Sequence, residues 1–173
     1  MTTMTETKVT TQVYRVYIKA TPQAIWDAIT KSEWTERYGF GGRVAYELRT
    51  GGSYRVPTIE AMKRAGAGMG ISTPDVMVDG EVIEADPPRR LVLTWRMLMD
   101  QETVAEGFTR LTYEIEESSG GVTKLTLVHE LEGAPKLAAL TAGEREAEGA
   151  GGGWSWVLSD LKTLLETGES LHH

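Results

Sequence analysis

The chain has 173 residues and a formal net charge of −7, a length that suits one domain with a substantial hydrophobic core. The chain is acidic and lacks the basic stripe of nucleic-acid-binding proteins. No apolar run in it approaches the roughly 20 residues that span a bilayer. There is no cysteine and the N-terminus lacks the pattern of a signal peptide, so we expect a cytoplasmic protein without disulfides. We expect it to be a monomer or a homodimer.

A strand and a helix are predicted first. Residues 11–19 alternate between apolar and polar side chains, which is typical of a half-buried β-strand. Thr21 then supplies an N-cap and Pro22 a suitable first helical residue. The residues that this helix is expected to bury are Ile25, Trp26 and Ile29.

A second short helix is expected after Ser32, which can serve as its N-cap. Trp34 and Tyr38 would then point inward. The glycines at positions 39, 41 and 42 end this helix in a plain loop. A phosphate-binding loop is not expected there, because no helix follows and no P-loop lysine is present.

The chain from residue 43 predicts an antiparallel sheet. Tyr46 and Leu48 share a face, and Tyr54 continues that face after a turn at 50–53. Four further strands are predicted in two hairpins, at 76–85, 91–99, 107–117 and 122–132. Strand parity points the following residues of the last three strands inward: Leu91, Leu93, Trp95, Met97, Met99, Leu111, Tyr113, Ile115, Leu125, Leu127, His129 and Leu131.

The segment 57–75 interrupts the strand pattern. Met62 fits a short helix, and the glycines and the proline that follow predict an irregular loop. The segment is too long for a plain hairpin connection, and insertions of this size often act as lids. We therefore expect a mobile lid or cavity mouth at 57–75.

The last long stretch predicts the helix that covers the sheet. Between Gly153 and Gly168 the apolar residues recur at helical spacing on one side, and Gly168 can close the helix in the left-handed conformation. Earlier, Thr141 and Glu144 form a possible capping box that would open another helix. The apolar stripe consists of Trp154, Val157, Leu158, Leu161, Leu164 and Leu165.

Several ordered blocks resemble the START-like (SRPBCC) superfamily, in particular the branch named after the activator of the heat-shock protein 90 ATPase. The blocks are IKATPQAIWDAIT, VDGEVIEADPPRRLVLTWR, KLTLVHELE and GWSWVLSDLKTLLETG. The resemblance implies an α+β helix-grip fold: a curved antiparallel sheet of about seven strands on a long C-terminal helix, with two short helices after the first strand. The resemblance runs from about Tyr14 to Gly168, and we expect a single domain at 12–168 after a flexible N-terminus at 1–11. The tail at 169–173 ends in two histidines and fits a tag remnant.

The fold implied by the resemblance often encloses a cavity for apolar ligands, and large aromatic side chains that point inward suit such a cavity. In the alternative interpretation most of these residues are ordinary core residues. The predicted ligand-binding residues are Trp34, Tyr38, Tyr46, Tyr54, Met62, Trp95, Met97, Tyr113, His129 and Trp154.

His129 is the only histidine before the final two residues of the chain, and its parity points it inward. It could bond a ligand or move a proton near neutral pH, or it could be a core histidine satisfied by Tyr46, Tyr113 or water. No second interior histidine and no cysteine accompany it, so no metal site is expected.

Three functions remain open on the sequence. We expect non-catalytic binding of a small apolar or aromatic ligand in a cavity between the sheet and the C-terminal helix, with no cofactor. The alternatives are a cyclase or aromatase that uses the same cavity, and a module that interacts with a chaperone. A cavity with a few polar groups favours the first two functions, whereas a filled interior with an exposed apolar groove favours the third.

Overall fold

The structure is a computed structural model that describes residues 11–149 and 151–171. The predicted flexible N-terminus at 1–11, apart from Thr11, lies outside the described residues, as do the last two residues of the predicted tail at 169–173. Within the described ranges, no helix has the length and hydrophobicity needed to cross a membrane.

In the described part of the chain, one antiparallel sheet of seven strands forms the body of the domain, in the spatial order β1-β7-β6-β5-β4-β3-β2. The predicted α+β helix-grip fold is confirmed, because a long C-terminal helix packs against this sheet. The strands are β1 (Thr11–Ile18), β2 (Ala45–Tyr46), β3 (Ser53–Pro57), β4 (Val76–Asp86), β5 (Arg90–Met97), β6 (Thr109–Glu117) and β7 (Thr123–Glu130).

The described residues also form six α-helices, of which α1, α4 and α6 contact the sheet. They are α1 (Pro22–Thr30), α2 (Ser32–Thr35), α3 (Glu60–Gly68), α4 (Gln101–Glu106), α5 (Pro135–Thr141) and α6 (Gly153–Thr167). A single 3-10 turn, Glu146–Glu148, connects α5 to α6. The N-cap prediction for α1 is confirmed, since the Thr21 hydroxyl accepts a hydrogen bond of 3.1 Å from the Ala24 N–H.

The sheet turns its large apolar side chains to one face and most of its charged side chains to the other, as strand alternation predicts. On β7 the inward residues Leu125, Leu127 and His129 are fully buried, whereas the outward Lys124 and Glu130 carry charge. The β4–β5 register shifts between Val82 and Glu84, and such a bulge bends a sheet. The curved inner face therefore forms a concave surface for the helices.

The region after α2 differs from the prediction. The N-cap of α2 is Lys31 rather than Ser32, which is the first helical residue. β2 ends at Tyr46, and Leu48 is 43% exposed instead of continuing the inward face. The Glu47 carboxylate explains this change, because it accepts bonds from the Ser53 hydroxyl (2.7 Å) and the Ser53 N–H (3.3 Å) and so forms a local turn.

Thr141 ends a helix instead of opening one. α5 begins earlier, at Pro135, where the Glu106 carboxylate accepts the N–H groups of Lys136 (2.8 Å) and Leu137 (3.0 Å). The Thr141 hydroxyl bonds back to the Leu137 carbonyl at 3.1 Å, within its own last turn. The capping-box prediction was therefore wrong, because the proline and the distant carboxylate of α4 set the start of the helix.

The apolar stripe of α6 is confirmed, with Trp154, Leu158, Leu161 and Leu164 buried and Gly168 in the left-handed conformation at φ 86°. α6 packs along β1 at the edge of the sheet. Two of its polar side chains bond that edge: the Lys162 ammonium donates to the Tyr17 carbonyl (2.5 Å), and the Glu166 carboxylate accepts the Lys19 N–H (2.8 Å).

We predict that Leu161→Ala lowers the free energy of unfolding by about 2–5 kcal/mol, because it removes a side chain from the centre of the buried stripe. Ser159→Ala, on the exposed side of the same helix, is the matched control and should change it by less than about 0.5 kcal/mol. Urea unfolding of both variants provides the measurement. Equal midpoints for wild type and Leu161→Ala would contradict the assigned packing of α6.

Candidate ligand-binding site

The structure gathers most of the predicted site residues into two adjoining groups inside the fold. We call the first group the tyrosine cluster and the second the histidine network; Thr109, which was not among the predicted residues, belongs to the second. The tyrosine cluster consists of Tyr38, Tyr46, Tyr54 and Tyr113. The histidine network consists of Trp95, Thr109, His129 and Trp154.

The tyrosine cluster is built by strand pairing and by the loop after α2. Tyr46 of β2 lies directly opposite Tyr54 of β3, and their rings stack with centroids 4.7 Å apart. The Tyr54 hydroxyl interacts with the Tyr46 hydroxyl and with the Trp95 indole, which joins the two groups. The Tyr38 hydroxyl donates to the Ala28 carbonyl of α1 at 2.8 Å.

All four hydroxyls of the cluster stay protonated at neutral pH. Burial raises the pKa of Tyr38 and Tyr54, and it raises the pKa of Tyr46 and Tyr113 well above the usual value near 10. The nearby Tyr54 hydroxyl adds to the effect at Tyr46 and Tyr113. The cluster is therefore a set of neutral groups that can both donate and accept hydrogen bonds.

Tyr113 differs in burial from the residues on either side of it in the sheet, and in bonding from the other tyrosines of the cluster. It lies on the inner face of β6 between Leu91 and Leu127, which are both 0% exposed, yet Tyr113 is only partly buried. Within the described residues, its hydroxyl has no hydrogen-bond partner. Partial accessibility therefore distinguishes Tyr113 from the leucines on either side of it in the sheet.

The histidine network is a closed chain of hydrogen bonds. The Trp154 indole N–H of α6 donates to His129 Nδ1 at 3.0 Å, and His129 Nε2 lies 2.7 Å from the Thr109 hydroxyl. That hydroxyl donates onward to the Trp95 carbonyl at 2.8 Å, so it accepts from His129 Nε2–H. The chain thereby fixes the tautomer of the imidazole and links α6 to three strands.

His129 is 0% exposed, and burial lowers its pKa from 6.5 to about 3. The imidazole is therefore neutral near pH 7 and both of its nitrogens are already bonded. The tyrosine partners expected for it, Tyr46 and Tyr113, are not its partners: Thr109 and Trp154 take those positions. Parity correctly predicted that His129 points inward, but parity does not predict which side chains from other elements it meets.

The three remaining predicted residues lie outside these two groups. Trp34 of α2 is partly buried beneath the Arg37 guanidinium, 4.9 Å from its ring. Met62 belongs to α3, and Met97 is the last residue of β5. Both methionines are partly buried against the core. A ligand contact at these three positions remains a prediction.

Sequence reasoning missed two polar residues of the interior. Thr109 shares the inward parity of Leu111 and Tyr113, so the strand pattern could have identified it. Asp160 is buried at the flank of the α6 stripe, where its carboxylate accepts the N–H groups of Gly39 (2.8 Å) and Leu171 (2.7 Å). The helical spacing places Asp160 beside the stripe, which is the one sequence signal for its burial. Its partner Gly39 lies far away in the chain and could not be predicted.

Two open clefts lie on the surface of the described part of the chain, and none of the predicted site residues lines either of them. One, of about 460 Å³, lies at the C-terminal end of α6. The other, of about 640 Å³, lies where the loop after α2 meets the start of the 57–75 segment. The larger cleft is lined by Ser32, Glu36, Gly41, Arg43, Val44, Ala45, Pro57, Thr58, Ile59 and Glu60.

Within residues 11–149 and 151–171, no group of three or more histidine, aspartate or glutamate side chains is arranged to hold a metal ion. The polar chemistry of the interior therefore consists of hydroxyl, indole and imidazole groups together with the Asp160 carboxylate.

The sequence matches the family model described as "Activator of Hsp90 ATPase homolog 1-like protein" over residues 19–166. The chain belongs to this family. The helix-grip fold and the family together place it in the START-like superfamily, as the sequence blocks predicted. No curated protein matches the chain significantly.

Solved structures share the fold of this family member at low sequence identity. The Aha1 dimer from Colwellia psychrerythraea superposes with a TM-score of 0.61 at 16% identity, covering 92% of this chain and 98% of the other. PFC0360w, an Hsp90 activator from Plasmodium falciparum, gives 0.53 at 20%, covering 94% and 91%. CalU16 from Micromonospora echinospora gives 0.60 at 17%, covering 93% and 68%. At these identities the likeness establishes the fold alone.

We predict that His129 makes stability depend on pH below about 6.5. Its pKa is lowered by folding, so protonation favours the unfolded chain, and the free energy of unfolding falls as the pH drops from about 6.5 toward 3. The share due to His129 approaches about 1.4 kcal/mol per pH unit. Urea unfolding should show a steeper decrease for wild type than for His129→Gln, and parallel curves would contradict the buried neutral imidazole.

Proposed function

We propose that this protein binds a small apolar or aromatic ligand, without catalysis, in the space over the tyrosine cluster. The observation that carries the proposal is Tyr113, an inward residue at the centre of the sheet that keeps accessible surface and an unpartnered hydroxyl. The residues around Tyr113 are aliphatic and aromatic, and the hydroxyls of the cluster can orient a ligand. This combination is typical of small-molecule sites.

The non-catalytic part of the proposal rests on the histidine network. A cyclase that used His129 to move a proton would need an imidazole with a pKa near neutral and one free nitrogen. His129 has neither property, since its pKa is about 3 and both nitrogens are bonded. The tyrosine hydroxyls, with raised pKa values, are better suited to hydrogen bonding than to proton abstraction.

A route into the interior is suggested by the larger surface cleft. Its lining includes Val44 and Ala45, which directly precede Tyr46 of the tyrosine cluster, and Pro57 and Thr58 at the end of β3. Beyond Thr58 the chain continues into α3, which places Met62 at the margin of the core. Displacement of α3 together with the loop at 41–45 would open this cleft toward the tyrosines, in keeping with the predicted role of 57–75 as a lid.

Tyr113→Phe should test the proposed site with little effect on the fold, because it removes only a hydroxyl that has no partner. We expect wild type to bind 2-naphthol saturably with one ligand per chain, and we expect the variant to bind about threefold to tenfold more weakly through loss of one hydrogen bond. Isothermal titration calorimetry measures both affinities.

Tyr17→Phe is the matched control, since Tyr17 lies on the outer face of β1 and is 53% exposed. This variant should bind like wild type. Absence of saturable binding by wild type, or an equal loss of affinity in the two variants, would overturn the proposed site.

A second candidate function is interaction with an Hsp90-type chaperone. It is favoured by the family description, and by Met69 and Ile71, which follow α3 and are 71% and 55% exposed. In this case the purified protein should raise the ATPase rate of such a chaperone. The effect should be lost in Met69→Ser/Ile71→Ser and kept in Tyr113→Phe, whereas an unchanged rate with wild type would remove this candidate.

A further inference from the structure

The ionisable groups of the interior are unbalanced in charge. No lysine or arginine is buried within the described residues. Besides tyrosines, the buried ionisable side chains in these residues are His129 and Asp160. The interior therefore offers one carboxylate and one imidazole, and no permanent cation.

The cations of β5 and β7 are committed to the outer face of the sheet. The Arg90 guanidinium donates to Glu114 at 2.8 Å, and Arg96 bonds both oxygens of Asp79 at 2.8 and 3.0 Å. Lys124 pairs with Glu116 at 2.9 Å on the same face. These side chains point away from the tyrosine cluster, so they cannot neutralise an anion placed there without breaking their pairs and crossing the sheet.

The two interior ionisable groups cannot neutralise an anion either. His129 remains uncharged near pH 7, and its nitrogens are bonded to Thr109 and Trp154. The Asp160 carboxylate acts on the Tyr38 hydroxyl, adding to the effect of burial and of Tyr54 in raising the pKa of Tyr38. An anionic ligand in this space would therefore lose its hydration without gaining a positive partner.

The tyrosine hydroxyls favour a different kind of group. Tyr38 already donates to the Ala28 carbonyl, and Tyr46 and Tyr54 interact with each other. Tyr113 has no partner in the described residues, so its O–H is free to donate to a ligand oxygen or to accept from a ligand N–H or O–H. A neutral carbonyl, amide or phenol meets that requirement without adding charge to the interior.

We propose that the space over the tyrosine cluster selects uncharged ring compounds that carry one hydrogen-bonding carbonyl, amide or phenol group, and that it discriminates against carboxylates and phosphates. The inference rests on the proposed ligand-binding function and specifies its ligand class. Tyr113 is the specificity-determining residue, because its hydroxyl is the polar group left for the ligand. The lack of an interior cation provides the discrimination against anions.

The test compares ligands of one shape and different charge. Calorimetric titration of wild type near neutral pH with 2-naphthamide and 2-naphthoate changes the charge while keeping the ring system and nearly the same size. Methyl 2-naphthoate is neutral but larger than the carboxylate, so it separates an effect of charge from an effect of size. We expect the amide and the ester to bind, and we expect the carboxylate to bind at least about tenfold more weakly.

The outcomes separate this inference from the function on which it rests. If 2-naphthoate binds as tightly as the amide, charge selection is overturned while ligand binding stands. If the ester fails as well as the carboxylate, size rather than charge decides and the inference is again overturned. If none of the three compounds binds, and 2-naphthol does not bind, the proposed function falls and the inference with it.

A variant adds an independent measurement. Tyr113→Phe should weaken binding of 2-naphthamide about threefold to tenfold, since the amide loses its hydrogen bond. Tyr17→Phe should leave it unchanged. Unchanged affinity of Tyr113→Phe for the amide would overturn the assignment of Tyr113 as the specificity-determining residue, and a thermal melt of each variant shows whether its fold is intact.

Discussion

One long helix, α6, is much narrower than the seven-stranded sheet on which it packs. The rest of the structure depends on this difference in width. Six interstrand spacings of about 4.8 Å give a sheet roughly 29 Å wide, whereas a helix with its side chains is about 10–12 Å across. Curvature reduces the difference without removing it. α6 packs along β1, and α1 adds cover at β6, so the strands from β5 to β2 need other groups to cover them.

The inner face of the sheet is covered by different groups at its two ends. Under α6, the histidine network satisfies every polar atom it contains and fills the space between helix and sheet, which suits a structural role. Toward β2 the cover consists of tyrosine rings, which are bulky and end in hydroxyls. There the packing leaves Tyr113 partly accessible. The fixed network beside Tyr113 joins α6 to the sheet independently of what the tyrosines contact.

Periodicity in the sequence predicted the elements and the direction of their side chains. The stripe of α6 and the inward parity of Tyr113 and His129 follow from local spacing alone. An element with one buried face repeats its apolar residues at the period of a helix or of a strand. The partners of His129 could not be predicted, since Trp154 and Thr109 come from other elements. Leu48 turned outward for a similar reason: a Glu47–Ser53 interaction ends β2 early, and no alternation pattern reports it.

The central claim is that a ligand occupies the space over the tyrosine cluster, and fluorine NMR tests it most directly. The chain has six tyrosines, and 3-fluorotyrosine labelling gives each a resonance that single Tyr→Phe variants assign. On addition of 2-naphthol, the account predicts that the resonance of Tyr113 shifts together with those of Tyr46 and Tyr54, while that of the outward Tyr17 stays in place. A shift confined to Tyr17, or no shift at Tyr113 under saturating ligand, would contradict it.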